Sequence, residues 1–174
     1  KAFRPYFGKP RDYIYDTVYG QDKDVARQYF EEFVLKHHTE HLCPMPDAVA
    51  VLQTAYRQNI PMAVVSNKKG ALLKKEIKTL GWASYFVAVM GSGDTKEDKP
   101  SAEPIFAAVE HANLQLDYQD IWYVGDTDND LKCANAASCP ALLIADQAEH
   151  EALSKICSIE SYFESCLSFY DFLL

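Results

Sequence analysis

Residues 122–130 read Trp-Tyr-Val-Gly-Asp-Thr-Asp-Asn-Asp, an apolar run that stops abruptly on acidic and amide side chains. The part from Ile121 to Val124 is short, β-branched or aromatic and followed by a glycine, which predicts a buried strand. In an open parallel α/β sheet, ligands bind at the carboxyl ends of the strands, so these acidic side chains form a candidate site. Asp126 and Asp130 are four residues apart, and a helix that begins near Thr127 would bring them to one side.

The acidic side chains after this strand are compatible with two kinds of structure. Converging carboxylates at Asp126 and Asp130 suit Mg²⁺, which prefers oxygen ligands and keeps several waters that a phosphate can replace. Thr127 or Asp128 would equally well act as the N-cap of a following helix. These nine residues alone leave both interpretations open.

Length and composition restrict the class of protein. The 174 residues fit a single α/β domain with a small appendage, and the net charge of -8 argues against nonspecific nucleic-acid binding. No run is long enough for a membrane helix, and the first residues lack the apolar core of a signal peptide. The five cysteines are odd in number and form no CxxC pair, which predicts free thiols in a reducing cytoplasm.

The first 43 residues predict a small helical unit. Residues 1–21 are rich in aromatic side chains without a clear period, and we expect irregular structure with one short helix. Apolar residues at helical spacing between Asp22 and His41 predict an amphipathic helix with Asp22 as its N-cap. His37 and His41 could grip one metal ion, but solvated histidines near the negative pole of the helix dipole are the more ordinary interpretation.

Helices and strands alternate regularly after Pro44 and Pro46, which mark a domain boundary. The strands are apolar without alternation, as expected when helices cover both faces of a parallel sheet. The sequence therefore predicts a doubly wound α/β fold over residues 44–174, following the helical unit of residues 1–43. The expected strands are 60–65, 86–90, 121–124 and 140–144, and the expected helices are 47–58 (with Asp47 as cap), 71–80, 101–112, 128–137, 149–155 and 161–173.

Two further segments carry groups that suit an anion. The strand 60–65 is expected to stop at Ser66 and Asn67, whose hydroxyl and amide could cradle a phosphate together with the N–H groups of the next helix. An N-cap is the alternative for these two residues. Lys99 lies just before a predicted helix, where the helix dipole disfavours a cation, and this position invites a functional reason.

Three segments resemble, in order and spacing, the second, third and fourth motifs of the haloacid dehalogenase-like (HAD) hydrolases. They are Val64-Val65-Ser66-Asn67, Asp98-Lys99-Pro100 and Val124 to Asp130. The resemblance is strongest to the phosphoglycolate phosphatase-like branch. It implies a Rossmann-like, doubly wound parallel sheet with a partial helical cap formed by residues 1–43, and Mg²⁺-dependent hydrolysis of a small phosphomonoester through an aspartyl-phosphate.

The resemblance also implies a role for each site residue. Ser66 and Asn67 would hold the transferring phosphate, and Lys99 would neutralise charge on the phosphate and the nucleophile. Asp126 would ligate Mg²⁺. Asp130 would be a further ligand, or would support the ligands without contacting the metal. These charges make physical sense, because a dianionic phosphate and a carboxylate nucleophile need cations between them.

One motif of the family does not occur in these residues. The family's nucleophile lies in an Asp-x-Asp-x-Thr motif at the end of a strand before the cap, and Asp16-Thr17 has neither that strand nor the paired aspartate. In the family this strand lies between the strands expected at 60–65 and 121–124. We therefore expect a gap between those two strands, a nucleophile outside the 174 residues, and a segment that supplies the central strand. Each unmade hydrogen bond at the gap would cost about 0.5–1.5 kcal/mol.

Two other functions stay open from the sequence. A haloacid dehalogenase shares the fold but needs no metal, and the acidic residues from Asp126 to Asp130 argue against it. A non-catalytic anion-binding or scaffold protein would lack the nucleophile altogether. The expected partner is a small phosphorylated metabolite, without nucleic acid or membrane. Arg4, Lys9 and Arg11 could contact it, although each is more often a solvated surface charge.

Overall fold

The computed structural model describes residues 11–174, with side chains from Tyr13 onward. The chain divides into two compact units, residues 1–42 and residues 43–174. None of the helices within residues 11–174 combines the length and the apolar character that a membrane span needs.

The described part of the first unit is entirely helical and irregular. Helix α1 (Arg11–Ile14) continues into a π-helical turn, Tyr15–Tyr19, and a 3₁₀ turn leads into α2 (Lys23–His37). Asp22 occupies the predicted N-cap position of α2, but its side chain makes no capping hydrogen bond. The 3₁₀ turn runs directly into α2, and the backbone N–H of Lys23 bonds the carbonyl of Gly20 instead. The part of the predicted irregular segment before residue 11 lies outside the described residues.

The second unit alternates helices and strands, which confirms the predicted α/β class. All three strand pairs, β1–β2, β3–β4 and β4–β5, are parallel. The strands are β1 (Met62–Lys69), β2 (Phe86–Ser92), β3 (Tyr123–Gly125), β4 (Ala141–Ile144) and β5 (Ser161–Phe163). The helices are α3 (Ala48–Arg57), α4 (Gly70–Thr79), α5 (Glu103–His111), α6 (Asp128–Ala136), α7 (Gln147–Leu153) and α8 (Cys166–Leu173).

Three details of this unit differ from the sequence prediction, and the first two concern helix ends. The segment 161–173 is not one helix, because its first three residues pair with β4 as β5 and only then does Ser165 cap α8. Strand pairing with β4 thus outweighs the helical apolar spacing of the segment. Asp47 does not cap α3 through its side chain, since its backbone adopts a left-handed conformation with φ of 62°.

Strand β1 is longer than predicted and contains a bulge. It continues through Ser66 and Asn67 to Lys69, so the expected end at Val65 is wrong. Val65 pairs with Met90 and Lys69 with Ser92, so an advance of four residues along β1 corresponds to an advance of only two residues along β2. A bulge of this kind re-aims side chains away from the regular pleat, and here it frees Ser66 and Asn67 from the ladder.

The five strands form two separate sheets, β1–β2 and β3–β4–β5. Within residues 11–174, β1 and β3 pair with no strand on their facing sides, as the sequence led us to expect. We call the space between these two strands the slot. Ala63 and Val124 are exposed, with 39% of Val124 accessible, although central strands of a parallel sheet normally carry covered apolar side chains.

Two helices connect the two sheets. Helix α3 leads into β1 and α8 follows β5, and these two helices pack against each other. The side-chain amide of Gln58 donates to the backbone carbonyl of Leu173 at 3.0 Å across this contact. The best-buried core lies around β4 and α6, where Leu131 and Leu143 are completely inaccessible to solvent.

We predict that Leu143→Ala lowers the free energy of unfolding by about 2–5 kcal/mol, because it leaves a cavity in this core. Urea unfolding followed by circular dichroism measures the change. Leu116→Ala is the matched control, since 45% of Leu116 is exposed and its truncation opens no cavity. Equal losses in the two variants would contradict the assignment of the core to β4.

Candidate functional site

The site residues predicted from the sequence lie on three segments of the second unit. Ser66 and Asn67 lie in the bulge of β1, and Lys99 lies in the loop between β2 and α5. Asp126 follows β3, and Asp130 lies in the first turn of α6. Hydrogen bonds connect all three segments through Asn67, Lys99 and Asp130, so the structure brings them together.

The ammonium group of Lys99 forms the centre of the site. It lies 2.6 Å from Oδ1 of Asp130 and donates to the backbone carbonyl of Val65 at 3.2 Å. Only 10% of the Lys99 side chain and 8% of the Asp130 side chain are accessible to solvent. An ammonium has three N–H donors, and these two contacts leave one donor for an incoming anion.

Asp130 accepts hydrogen bonds at both carboxylate oxygens. Oδ2 accepts from the backbone N–H and hydroxyl of Thr127, at 3.1 and 2.6 Å, while Oδ1 accepts from Lys99. Burial opposes ionisation of this carboxyl, but the hydrogen bonds from Lys99 and Thr127 outweigh it and lower the pKa of Asp130. Asp130 is therefore a buried, ionised anchor for Lys99 that also closes the N-terminal turn of α6.

The glycine before the acidic residues is required by the position of Asp130. A Cβ atom at Gly125 would lie 2.6 Å from Cγ of Asp130, much closer than real Cβ atoms approach. Gly125 does not have a positive φ, so the requirement comes from packing alone. Any side chain at this position would push Asp130 away from Lys99.

Asp126 differs from Asp130 in its electrostatic surroundings. Asp126 is exposed as a whole residue, yet partial burial of its carboxyl group and the charge of Asp130 raise the pKa of that carboxyl. A divalent cation beside Asp126 would reverse this effect, because it would offset both charges. Residues 11–174 contain no group of three histidine, cysteine or acidic side chains that could hold a metal alone, so Asp126 could hold Mg²⁺ only together with other ligands.

Tyr123 belongs to the site, although its sequence pattern predicted only a strand residue. Its hydroxyl lies 3.3 Å from Oδ1 of Asp130 and 3.5 Å from the carbonyl oxygen of Val65. Burial first, and then the charge of Asp130, raise the pKa of Tyr123. The phenol therefore keeps its proton and can donate a hydrogen bond. The strand period of two, which puts Tyr123 and Gly125 on one face, was the signal that could have identified it.

The side chain of Asn67 contacts the backbone of Lys99 at two points. Its Nδ2 donates to the carbonyl of Lys99 at 3.0 Å, and its Oδ1 accepts from the N–H of Lys99 at 3.0 Å. Ser66 makes a local contact, in which Oγ accepts from the N–H of Lys68 at 3.2 Å. The serine hydroxyl hydrogen stays available for another acceptor.

The other residues singled out in the sequence belong to the first unit, residues 1–42. His37 pairs with Glu40 at 2.9 Å from Nδ1 to Oε2, and its ring packs on Phe33. This contact is consistent with an ordinary helix end. Arg4 and Lys9, and the side chain of Arg11, lie outside the part of the chain that the structure describes.

Comparison with known proteins identifies similar sequences with a shared name. A phosphoglycolate phosphatase from Photorhabdus laumondii is 29% identical over 146 residues, which cover 82% of this chain and 62% of that protein. A phosphoglycolate phosphatase from Neisseria meningitidis is 34% identical over 126 residues, which cover 68% of this chain and 53% of that protein. The chain therefore spans less than two thirds of the length of these relatives.

Solved structures show the same fold. A HAD-superfamily hydrolase from Ehrlichia chaffeensis superposes with a TM-score of 0.63 at 25% identity, over 91% of this chain and 77% of that chain. A β-phosphoglucomutase from Clostridium difficile superposes with a TM-score of 0.62 at 16% identity, over 84% of this chain and 59% of that chain. The second likeness is one of fold alone.

The family of haloacid dehalogenase-like hydrolases matches residues 1–144, which is most of the chain. The match includes all three segments that meet at Lys99. The resemblance found in the sequence is thereby confirmed, and the chain belongs to the haloacid dehalogenase-like hydrolases, in a branch similar to phosphoglycolate phosphatases.

Proposed function

We propose that the complete protein is a Mg²⁺-dependent phosphatase that hydrolyses a small phosphomonoester similar to phosphoglycolate. The observation that carries the proposal is the buried Lys99–Asp130 pair, which holds an ammonium with one unused donor and whose charges act on the carboxylate of Asp126. The names of the curated relatives support the substrate class. Because the chain covers only part of those relatives, activity is proposed for the complete protein.

The proposed chemistry is phosphoryl transfer to a carboxylate followed by hydrolysis. A carboxylate oxygen attacks phosphorus and the bond from phosphorus to the alcohol oxygen of the substrate breaks, which leaves an aspartyl-phosphate; water then attacks phosphorus and restores the carboxylate. Lys99 offsets the negative charge that accumulates on the phosphoryl oxygens. The hydroxyl of Ser66 would donate to the same oxygens, whereas the amide of Asn67 bonds the backbone of Lys99.

The metal would bind at Asp126 in this proposal. Mg²⁺ commonly uses one or two protein carboxylates, several waters and the phosphate of the substrate, so a single prepared carboxylate on this chain is compatible with it. When bound, it supplies a Lewis acid that polarises the phosphoryl oxygens. Asp130 already accepts hydrogen bonds at both oxygens, and we assign it to the support of Lys99 and the Asp126 loop rather than to direct ligation.

We propose that an extended apolar segment occupies the slot and carries the nucleophilic carboxylate at its end. The facing edges of β1 and β3 make no backbone pairs within residues 11–174, and Ala63 and Val124 are exposed beside them. At Val65 the carbonyl is already taken by Lys99, so the pairing of an added strand would end there. A carboxylate just beyond that point would lie next to the ammonium group.

Two alternatives give different results in simple experiments. A haloacid dehalogenase would be active without Mg²⁺, whereas the proposed phosphatase loses activity in a chelator. A non-catalytic scaffold would show no turnover at all. The fold itself does not decide between these functions, because one fold supports many reactions.

We also propose a reducing, cytoplasmic location, since all five cysteines are unpaired.

We predict that Asp126→Ala in the complete protein lowers Mg²⁺-dependent hydrolysis of phosphoglycolate by about 1000-fold or more, because the metal loses its ligand on this chain. Steady-state release of inorganic phosphate measures the effect. Asp128→Ala is the control, because Asp128 pairs with Lys132 at the surface and faces no site residue. Near-normal turnover of the Asp126 variant would remove Asp126 from the metal site.

We predict that Asp130→Asn destabilises the fold much more than Asp128→Asn, although both aspartates lie 2.6 Å from a lysine. The buried pair should lose about 3 kcal/mol, since Lys99 is left without its counter-charge. The pKa of Asp130 is lowered, so its contribution is complete at neutral pH and is lost as pH falls below about 4. Urea unfolding at pH 7, 5 and 3 tests this. A difference from wild type that grows towards pH 3 would contradict it.

We predict that the slot binds an added strand. The probe is a peptide of about ten residues with a continuous Val/Ile run followed by Asp-x-Asp-x-Thr, and its control carries a central proline that cannot donate to the ladder. Hydrogen exchange of this chain should slow at β1 and β3 with the first peptide only. Equal protection by both peptides, or none by either, would contradict occupation of the slot by strand pairing.

A further inference from the structure

We infer that Asn67 is a positioning residue for Lys99, and that its effect on the reaction comes through the placement of the ammonium group more than through contact with the phosphate. The inference about catalysis depends on the proposed function. The structural part, that Asn67 fixes the backbone of Lys99, does not depend on it. The sequence had suggested a phosphate ligand at this position.

The two contacts between Asn67 and Lys99 determine the orientation of the amide. The backbone N–H of Lys99 requires an acceptor and its carbonyl requires a donor, so Oδ1 must face the first and Nδ2 the second. The reversed amide would make two unfavourable contacts. Asn67 therefore acts on Lys99 as the edge of a neighbouring strand would, with one donor and one acceptor on the same residue.

The bulge in β1 explains why Asn67 can reach this loop. Between Val65 and Lys69 the strand leaves its regular register with β2, and the side chain of Asn67 is turned towards residues 98–100. The loop is held on its other side as well, because Asp98 accepts from Ser92 Oγ at 2.5 Å and from Gly93 N at 3.2 Å. Loss of Asn67 would release one side of the loop and leave the other attached.

The position of the ammonium depends on this backbone contact. Nζ of Lys99 is 2.6 Å from Asp130 and 3.2 Å from the carbonyl of Val65, so its third donor points in a defined direction only while the backbone of Lys99 stays in place. A displacement of about 1 Å in a catalytic group can lower a rate about 100-fold. A side chain that touches no reacting atom can therefore have a large effect on turnover.

The chain contains a matched control for this contact. Asn135 makes the same pair of hydrogen bonds to the backbone of Ser158, with Nδ2 donating to the carbonyl at 3.0 Å and Oδ1 accepting from the N–H at 2.9 Å. Both asparagines are exposed, and both join a regular element to a loop. Asn135→Ala removes an equivalent structural contact at a position with no connection to Lys99.

The first experiment is a double-mutant cycle in the complete protein with phosphoglycolate and Mg²⁺. We expect Asn67→Ala to lower kcat about 100-fold with little change in KM, and Asn135→Ala to stay within about twofold of wild type. In a Lys99→Met background, Asn67→Ala should cause no further loss of kcat, because the group that it positions is gone. Full additivity of the two substitutions, or a rise in KM with unchanged kcat, would overturn the inference in favour of a phosphate ligand.

The second experiment needs no activity and also uses the complete protein. Hydrogen exchange of the Lys99 backbone amide, followed by NMR, should be faster in Asn67→Ala than in wild type and unchanged in Asn135→Ala. Unchanged exchange at Lys99 in Asn67→Ala would overturn the inference. If wild-type protein shows no phosphatase activity while exchange at Lys99 changes as expected, the proposed function fails and the positioning of Lys99 by Asn67 stands.

Discussion

The buried ion pair between Lys99 and Asp130 is the interaction on which the rest of the site depends. Removing two charges from water is costly, and their attraction compensates only when further hydrogen bonds satisfy both groups. Here Thr127 and Tyr123 donate to Asp130, and the carbonyl of Val65 accepts from Lys99. Each of these partners comes from a segment that also shapes the anion site, so the stability of the pair and the geometry of the site have the same origin.

Much of the fold could be predicted from the sequence, because apolar runs mark four of the five parallel strands and alternate with amphipathic helices. The errors occur where tertiary contacts outweigh local preference. Ser161–Phe163 continues the apolar spacing of a helix but pairs with β4 as a strand. The bulge at Ser66 and Asn67 depends on β2, which pairs with β1 on both sides of it. Neither feature has a signature within its own few residues.

The candidate site was predictable in its residue types and less so in their roles. Polar groups at the ends of strands marked Ser66 and Asp126, a cation just before a predicted helix marked Lys99, and the structure connects their three segments. The roles of Asn67 and Tyr123 depend on which atoms lie within about 3 Å of them, and such distances across the fold are not encoded in spacing along the chain. The same limit applies to Gly125, whose need for a bare Cα comes from Asp130 packed against it.

The slot and the ion pair assign two tasks of the proposed site, supply of the nucleophile and recognition of the phosphoryl group, to different parts of the fold. No backbone pairing joins β1 to β3 within residues 11–174. Side chains instead connect the two sheets, since Tyr123 of β3 reaches the carbonyl of Val65 in β1, and Lys99, which follows β2, pairs with Asp130, which follows β3. The position of the ammonium is thus defined by groups of this chain alone, before any strand enters the slot. An added strand would then bring its carboxylate to a prepared cation, so that recognition of the phosphoryl group and supply of the nucleophile are contributed by different parts of the fold.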